Sequence, residues 1–175
     1  MKKVQYKANI TAVGKYLPNN ILTNYNMEDI VDTSDEWIQS RTGIKERRIV
    51  DNGETTVTMS TNAVINLLDK YNISEKEIDT IIVATITPDK SLPSSAALLQ
   101  KNINATNAWG YDLSAACSGF LFALESGAAL IESGRSKKVI VVGADTMSSI
   151  LDYEDRNTCI LFGDGAGAIL LEPSQ

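Results

Sequence analysis

Two runs rich in β-branched apolar residues constrain the fold of this chain more than any other feature. One is IDTIIVATI at residues 78–86, and the other is KVIVVG at residues 138–143. A nearly continuous apolar run of this length is typical of a parallel strand that is covered on both faces of its sheet. Strand-like and helix-like segments also alternate along the chain, and this alternation predicts an α/β layer architecture.

The remaining segments carry helix and strand signals of their own. Helices are predicted at four places: 27–39, 56–71, 93–102 and 118–133. Further strands are predicted at 8–17 and 110–114, and as a pair joined by a glycine-rich turn within 158–171. The residues TSDE at 33–36 are expected to cap a restart of the first helix, and Gly134 is expected to close the last one.

The predicted helix at 118–133 is apolar or small around most of its circumference. Its polar side chains lie on one narrow stripe: Ser118, Glu125, Ser126, Glu132 and Ser133. A helix of this kind is buried on most sides. Because one sheet covers only one side of a helix, we expect the opposite side to be covered by another layer of the chain, a partner subunit or further polypeptide.

Composition and charge exclude several classes of protein. The chain has 175 residues, of which 43% are hydrophobic, so it is long enough for one domain with a core. A formal net charge of -6 argues against nucleic-acid binding. No apolar run approaches the ~18 residues of a membrane span, and no apolar segment follows the N-terminal lysines. We therefore expect a cytoplasmic protein.

The residues that could hold a metal ion are scarce. The chain contains no histidine, and its 2 cysteines are far apart in the sequence. We therefore predict free thiols and neither a metal site nor a redox cofactor.

One cysteine stands where a nucleophile would. The stretch DLSAACSGF at residues 112–120 places Cys117 between a predicted strand and a predicted helix. A strand-to-helix turn presents its side chain at the edge of a sheet, as the nucleophile elbow of hydrolases does with serine. The helix dipole there lowers the pKa of a thiol, and free N–H groups can bind an oxyanion, so the turn is suited to forming a thioester.

The alternative for any free cysteine is the role of a small buried hydrophobe. Local sequence around Cys117 leaves both interpretations open. For Cys159, which lies in the strand-like run TCILF, we predict the core role.

Three side chains could bind a nucleotide. Trp37 offers a flat face for an adenine, Arg41 a fork of donors for a phosphate, and Arg156 a second planar cation able to stack on a base. The alternatives are helix packing for Trp37 and a solvated surface for the arginines. For Lys45, Arg47 and Arg48 we expect a solvated surface.

Four ordered segments together resemble β-ketoacyl-acyl-carrier-protein synthase III, the initiating condensing enzyme of bacterial type II fatty acid synthesis. They are TSDEWIQSRTGIKERR at 33–48, DLSAACSGF at 112–120, DYEDR at 152–156 and LFGDGAGA at 161–168. Their order and spacing make the resemblance specific, and it extends from about residue 8 to the end of the chain.

The resemblance implies a thiolase-like fold in which two similar halves pack as αβαβα layers. Residues 1–175 would be the N-terminal half, with a mixed, mainly parallel sheet and the nucleophile helix between the two sheets. Cys117 would take a short acyl group from acyl-CoA, which is a substrate rather than a cofactor. The acyl-enzyme would then condense with malonyl-acyl-carrier-protein after decarboxylation.

The resemblance also implies roles for seven further residues. The matching family residues surround the CoA nucleotide in four cases: Thr33, Trp37, Arg41 and Arg156. Met147 and Phe162 match residues that line the acyl pocket, beside which the glycine-rich LFGDGAGA turn passes. Leu92 matches a position that reaches into the neighbouring subunit's pocket, which implies a homodimer and a candidate for limiting acyl chain length.

This chain departs from the family in its length. The family's catalytic histidine and asparagine, and the surface that docks the carrier protein, belong to a second half that this sequence lacks. Two alternatives therefore stay open. One is another thiolase-fold condensing enzyme, of the hydroxymethylglutaryl-CoA synthase or polyketide type. The other is a non-catalytic half that binds CoA or only dimerises.

Overall fold

The computed structural model describes residues 7–174, which form one five-stranded sheet, one two-stranded sheet and five α-helices. The strands are β1 (Ala8–Tyr16), β2 (Asn20–Thr23), β3 (Glu46–Ile49), β4 (Thr80–Ala84), β5 (Trp109–Leu113), β6 (Val139–Thr146) and β7 (Asp164–Pro173). The helices are α1 (Asn24–Glu28), α2 (Asp35–Thr42), α3 (Thr56–Tyr71), α4 (Ser95–Asn102) and α5 (Gly119–Glu132). Among these residues, no helix combines the length and apolar character needed to cross a membrane.

The main sheet has the strand order β1-β7-β6-β4-β5. Strand β4 pairs in parallel with both β5 and β6, while β7 pairs antiparallel with both β6 and β1. Four strands therefore run one way and β7 alone runs the other, which confirms the predicted mixed, mainly parallel sheet. The parallel pairs are joined by helical crossovers through α4 and α5, as parallel pairing requires.

Each face of the sheet carries its own apolar core. Along β4, Ile81 and Val83 belong to the cluster packed under α3 and α4, whereas Ile82 and Ala84 belong to the cluster packed under α5. All five residues of β4 are buried. The continuous apolar run in the sequence is therefore that of a strand covered on both faces, as predicted.

Helix α5 packs on the sheet along a single stripe of residues. Its buried positions are four residues apart: Gly119, Ala123, Gly127 and Ile131. At Gly127 an added Cβ would lie 2.8 Å from Leu171 Cδ1, so the glycine allows the close approach. On the other side, Leu121 is 63% and Phe122 55% exposed. The described residues thus supply one of the two covers that the sequence predicts for this helix.

The predicted helix at 27–39 is interrupted. Helix α1 is already underway at Asn24 and ends at Glu28, and α2 starts afresh at Asp35. The predicted restart is confirmed, because Ser34 is the N-cap and its Oγ accepts a hydrogen bond from Trp37 N at 3.1 Å. Helix α2 ends at Thr42, and its C-cap Gly43 has a φ of 73°.

The pair of strands predicted within 158–171 is wrong. Residues 158–162 lie in turns, and only β7 is a strand there. Hydrogen bonds to Asp155 hold this segment in a turn. The Asp155 carbonyl accepts one from Cys159 N at 3.0 Å, and its carboxylate accepts one from Thr158 Oγ1 at 2.7 Å. The glycines that suggested a turn lie at the start of β7 instead. Cys159 is consequently not in a strand, although it is buried in the core as predicted.

Candidate active site

Cys117 lies in the connection between β5 and α5. The strand ends at Leu113, a single 3₁₀ turn covers Ala116–Ser118, and the helix begins at Gly119. The thiol of Cys117 is exposed. The predicted strand–turn–helix geometry is therefore present, with the cysteine in a tight turn just ahead of the helix.

The residue before Cys117 has an unusual backbone conformation. Ala116 has a φ of 46°, in the left-handed region that a Cβ disfavours. Such conformations cost free energy and persist only where the surroundings impose them, often at functional sites. Alanine gives no signal for a positive φ, so sequence reasoning missed this feature.

Cys117 faces a cleft of about 310 Å³ at the ends of the central strands. Met147, one of the predicted pocket residues, lines the cleft together with Cys117. Further lining residues that sequence reasoning did not assign to it include Phe120, Asp145, Gly163 and Gly165. Phe162 precedes the lining residue Gly163 in the sequence but does not itself line the cleft. Leu92 lies in the loop between β4 and α4, where it is 84% exposed, so the described residues do not bring it to this cleft.

Two carboxylates hold the walls of this cleft in place. Asp112, at the end of β5, accepts hydrogen bonds from the backbone N–H groups of Ser95 and Ala96, both at 2.7 Å, and so ties the start of α4 to the strand that leads to Cys117. Asp164 is buried at the start of β7 and accepts from Ser148 N at 2.8 Å, which fixes the turn that carries Met147.

The three predicted nucleotide residues also lie together. The guanidinium carbons of Arg41 and Arg156 are each 4.9 Å from the ring centroid of Trp37. Arg41 follows Trp37 by one turn of α2, whereas Arg156 comes from the turns at 152–163 and pairs with Asp32 at 3.6 Å. These contacts place two cations against one partly buried indole, and side chains of these types can bind a base and phosphates.

Thr33 lies just before the α2 N-cap. Its Oγ1 is buried and has no hydrogen-bond partner among residues 7–174. Its position one residue before Ser34 puts Thr33 at the same end of α2 as Trp37. The four predicted nucleotide residues therefore share one region of the molecule.

The expectation of a solvated surface is wrong for Arg47. Its side chain points inward from β3 and the residue is only 4% exposed. Burial lowers its pKa below the ordinary arginine value, against smaller opposing effects of Cys159 and Tyr153. Arg48, its neighbour on the same strand, keeps a side chain that is 34% exposed.

A larger groove, of about 520 Å³, lies elsewhere on the surface. Its lining is mostly apolar, with Ile21, Leu22, Ile30 and Ile49 prominent, and it holds no thiol. Because no thiol lines this groove, the smaller cleft at Cys117 is the better candidate for thioester chemistry.

Comparison with known proteins identifies the family that this site resembles. The sequence profile of 3-oxoacyl-[acyl-carrier-protein] synthase III matches residues 111–175. The β-ketoacyl-[acyl-carrier-protein] synthase III of Chlorobaculum tepidum is 61% identical over 97% of this chain and 52% of its own length. The enzyme of that name from Aquifex aeolicus is 51% identical over 95% of this chain and 53% of its own length.

Solved structures lead to the same family. The crystal structure of 3-oxoacyl-[acyl-carrier-protein] synthase III from Aquifex aeolicus superposes with a TM-score of 0.93 and 50% identity, covering 96% of this chain and 54% of that one. A priming β-ketosynthase of a polyketide biosynthetic pathway superposes with a TM-score of 0.93 and 38% identity, covering 97% of this chain and 51% of that one.

These comparisons confirm the resemblance and the thiolase-like fold that the four motifs predict. The chain spans about half the length of the curated relatives it matches, with 52%, 51% and 51% of three of them covered.

Proposed function

We propose that this chain is the nucleophile-bearing, N-terminal half of an initiating condensing enzyme of type II fatty acid synthesis. In this function Cys117 accepts a short acyl group, such as acetyl, from acyl-CoA. The observation that carries the proposal is an exposed thiol in a strand–turn–helix connection that faces a cleft. The cluster of one indole and two guanidinium groups supports it as a place for the nucleotide.

The acyl transfer can be written with this chain's own groups. The thiolate sulfur of Cys117 attacks the thioester carbonyl, and N–H groups of the turn and of the first turn of α5 stabilise the oxyanion. The carbon–sulfur bond to CoA then breaks, and the CoA thiol leaves with the proton that Cys117 gave up. Trp37, Arg41, Arg156 and Thr33 hold the nucleotide, while Met147 borders the acyl group.

The second step needs groups that this chain lacks. Decarboxylation of malonyl-acyl-carrier-protein creates an enolate, which family members stabilise with a histidine and an asparagine from their other half. The chain contains no histidine. Condensation is therefore a property of the complete enzyme, and the carrier protein docks on that other half.

Two further parts of the proposal concern assembly and place. We infer a homodimer, because Leu92 is 84% exposed on its loop and Trp109 is 45% exposed on β5, one of the two edge strands of the main sheet. We also place the protein in the cytoplasm, where acyl-CoA is available and a reducing environment keeps both cysteines as thiols.

The test is intact-mass spectrometry of the protein before and after incubation with acetyl-CoA. We expect one acetyl group, mapped by digestion to Cys117, no uptake by Cys117→Ser, and unchanged uptake by the matched Cys159→Ser control if it folds. Acetylation of the Cys117→Ser variant, or wild-type protein that binds CoA without taking up an acetyl group, would contradict the proposal. The second of these outcomes favours a non-catalytic CoA-binding half.

The polyketide ketosynthase is a second candidate, supported by its TM-score of 0.93 at 38% identity. Both functions share the acylation of Cys117 and differ in the carrier protein that brings the malonyl group. Assaying the complete enzyme with malonyl groups on a fatty-acid and on a polyketide carrier protein separates them.

A further inference from the structure

Arg47 is a buried cation that the proposed chemistry does not use. The residue is 4% exposed, and none of the ion pairs among residues 7–174 includes it. A buried charge without a countercharge is costly, and an apolar residue of similar size is often as stabilising or more so. Core stability alone therefore does not explain an arginine at this position.

The hydrogen bonds of Arg47 join two separate parts of the chain. Its Nε and Nη2 both donate to the carbonyl of Ile160, at 2.8 and 2.5 Å, and its Nη1 donates to Asn24 Oδ1 at 2.7 Å. Ile160 belongs to the turns at 152–163, which also carry Arg156. Asn24 belongs to α1, which contacts α2, the helix of Trp37.

Asn24 links Arg47 to α2 by hydrogen bonds. The side chain is fully buried, and its Nδ2 donates at 2.8 Å to Asp35 Oδ1 and at 2.8 Å to the carbonyl of Ile44. Asp35 is the first residue of α2, and its pKa is lowered first by the hydrogen bond from Asn24 and then by that from Gln39. Trp37 follows two residues later.

The segments that these hydrogen bonds join also pack directly against each other. Cys159 and Ile160 share one small core with Met27 of α1 and Ile38 of α2, separate from the two cores of the main sheet. At Gly163 an added Cβ would lie 2.9 Å from Arg48 O and 3.0 Å from Arg47 Cβ. The turns at 152–163 therefore rest on β3 at Arg47 itself.

We propose that Arg47 is a positioning residue that sets the distance between the two walls of the nucleotide site: α2 with Trp37 on one side and the turns at 152–163 with Arg156 on the other. The planar fork of one guanidinium holds the acceptors on both walls in a fixed geometry, which the rotatable ammonium of lysine does not. The consequence is the 4.9 Å contact between Arg156 and the Trp37 ring. The part of this inference that concerns CoA rests on the proposed function.

The test uses the ligand-free protein first. The ring current of Trp37 should shift the Nε–H resonance of Arg156, which the Arg156→Lys variant assigns. In Arg47→Met this shift should relax toward that of free arginine, and in Arg47→Lys it should relax in part. The control is Arg48→Met on the same strand. The Arg48 guanidinium donates a hydrogen bond to Pro18 O at 3.2 Å and pairs with the Glu46 carboxylate at 3.4 Å. This variant should leave the shift unchanged.

Asp35→Ala provides a second way to interrupt the hydrogen bonds from Arg47 through Asn24 to α2, and it leaves the buried charge of Arg47 unaltered. Denaturant unfolding establishes that each variant is folded, so the proposal stays testable if Arg47→Met fails to fold. Folded variants of Arg47 or Asp35 that retain the wild-type Arg156 shift would overturn the positioning role.

CoA titration then separates this inference from the proposed function. We expect the dissociation constant for CoA to rise about tenfold in Arg47→Met, as for loss of charged hydrogen bonds, and to stay at the wild-type value in Arg48→Met. If the wild-type protein binds no CoA but the Arg156 Nε–H shift still relaxes in Arg47→Met, the positioning role of Arg47 is supported and the nucleotide site is refuted. If all variants bind CoA with equal affinity and keep the wild-type Arg156 Nε–H shift, the positioning role of Arg47 is refuted and the nucleotide site is supported.

Discussion

Cys117 and Cys159 lie in turns that lead into regular elements, and the two turns differ in almost every physical respect. The turn at Cys117 precedes α5, contains a residue with a φ of 46°, and leaves its thiol exposed. The turn at Cys159 precedes β7, and Cys159 itself is 0% exposed, in a core with Met27 and Ile38. Asp155 and Arg47 hold this second turn by hydrogen bonds.

The difference is the one expected between a nucleophilic cysteine and a structural one. Exposure, a strained neighbour and an adjacent cleft occur together at Cys117, whereas burial and backbone hydrogen bonds occur together at Cys159. Burial raises the pKa of the Cys159 thiol, and the Asp155 carboxylate raises it further. Both effects disfavour the thiolate, which is the nucleophilic form.

Alkylation should give the largest contrast between the two turns. We expect Cys117 to react with iodoacetamide at least about a hundredfold faster than Cys159, because a core thiol reacts only after local opening that costs several kcal/mol. Peptide mapping of protein quenched at timed intervals measures both rates, with Cys117→Ser as the control for site assignment. Similar rates in folded protein would mean that the two turns are equally open and would break the comparison.

Much of this contrast follows from local sequence. The β-branched run that becomes β4, the helix at 56–71 and the strand–turn–helix at Cys117 are all set by residues close in sequence, so pattern and capping predict them. The Trp37–Arg41 pair is equally local, since the two residues are one helical turn apart.

The parts that were not predictable depend on contacts between distant residues. Arg47 carries no sign of burial in its own strand, because its acceptor at Ile160 is 113 residues away. The turns at 158–161 were missed for another reason: Asp155 holds them by hydrogen bonds, whereas the apolar run TCILF and the glycines that follow it suggested a strand and a turn. The resemblance to a family, rather than any local pattern, joined Arg156 to Trp37.

Gly163→Ala should test how tightly the Cys159 turn is packed. The new Cβ would meet backbone of β3, with Arg48 O at 2.9 Å, so we expect a loss of about 2 kcal/mol in the free energy of unfolding. Gly167→Ala, in the strand β7 that follows, is the matched control, because its Cβ would meet nothing within 4 Å. Urea denaturation measures both. Equal stabilities of the two variants would show that the turn yields as easily as open surface.

Stability at high pH should report the buried thiol. Because the folded-state pKa of Cys159 is above its ordinary value of 9.0, the folded protein keeps this proton at pH values where the unfolded chain has lost it. The stabilisation is complete below about pH 9 and is lost as pH rises toward the folded-state pKa, with a slope of at most about 1.4 kcal/mol per pH unit. Tyr153, whose pKa is raised by burial first, adds a similar decline at higher pH.

Cys159→Ala isolates this contribution. The variant should lose about 1 kcal/mol at pH 7 through the small cavity it creates, and its stability should then fall less steeply than that of the wild type above pH 9. Urea denaturation at a series of pH values from 7 to about 10.5 measures the two slopes. Parallel curves for variant and wild type would place the source of the alkaline decline outside the Cys159 turn.

Ala116→Gly should give the smallest effect and one of the opposite sign. Glycine relieves the positive φ, which costs an alanine about 1 kcal/mol, but it also gains entropy in the unfolded chain. We expect a net stabilisation of about 0.5 kcal/mol, whereas Ala97→Gly in the exposed part of α4 should destabilise by about 1 kcal/mol. Thermal unfolding of both variants measures the difference. If Ala116→Gly destabilised the protein as much as Ala97→Gly, the backbone before Cys117 would carry no strain, and the two turns would differ in exposure alone.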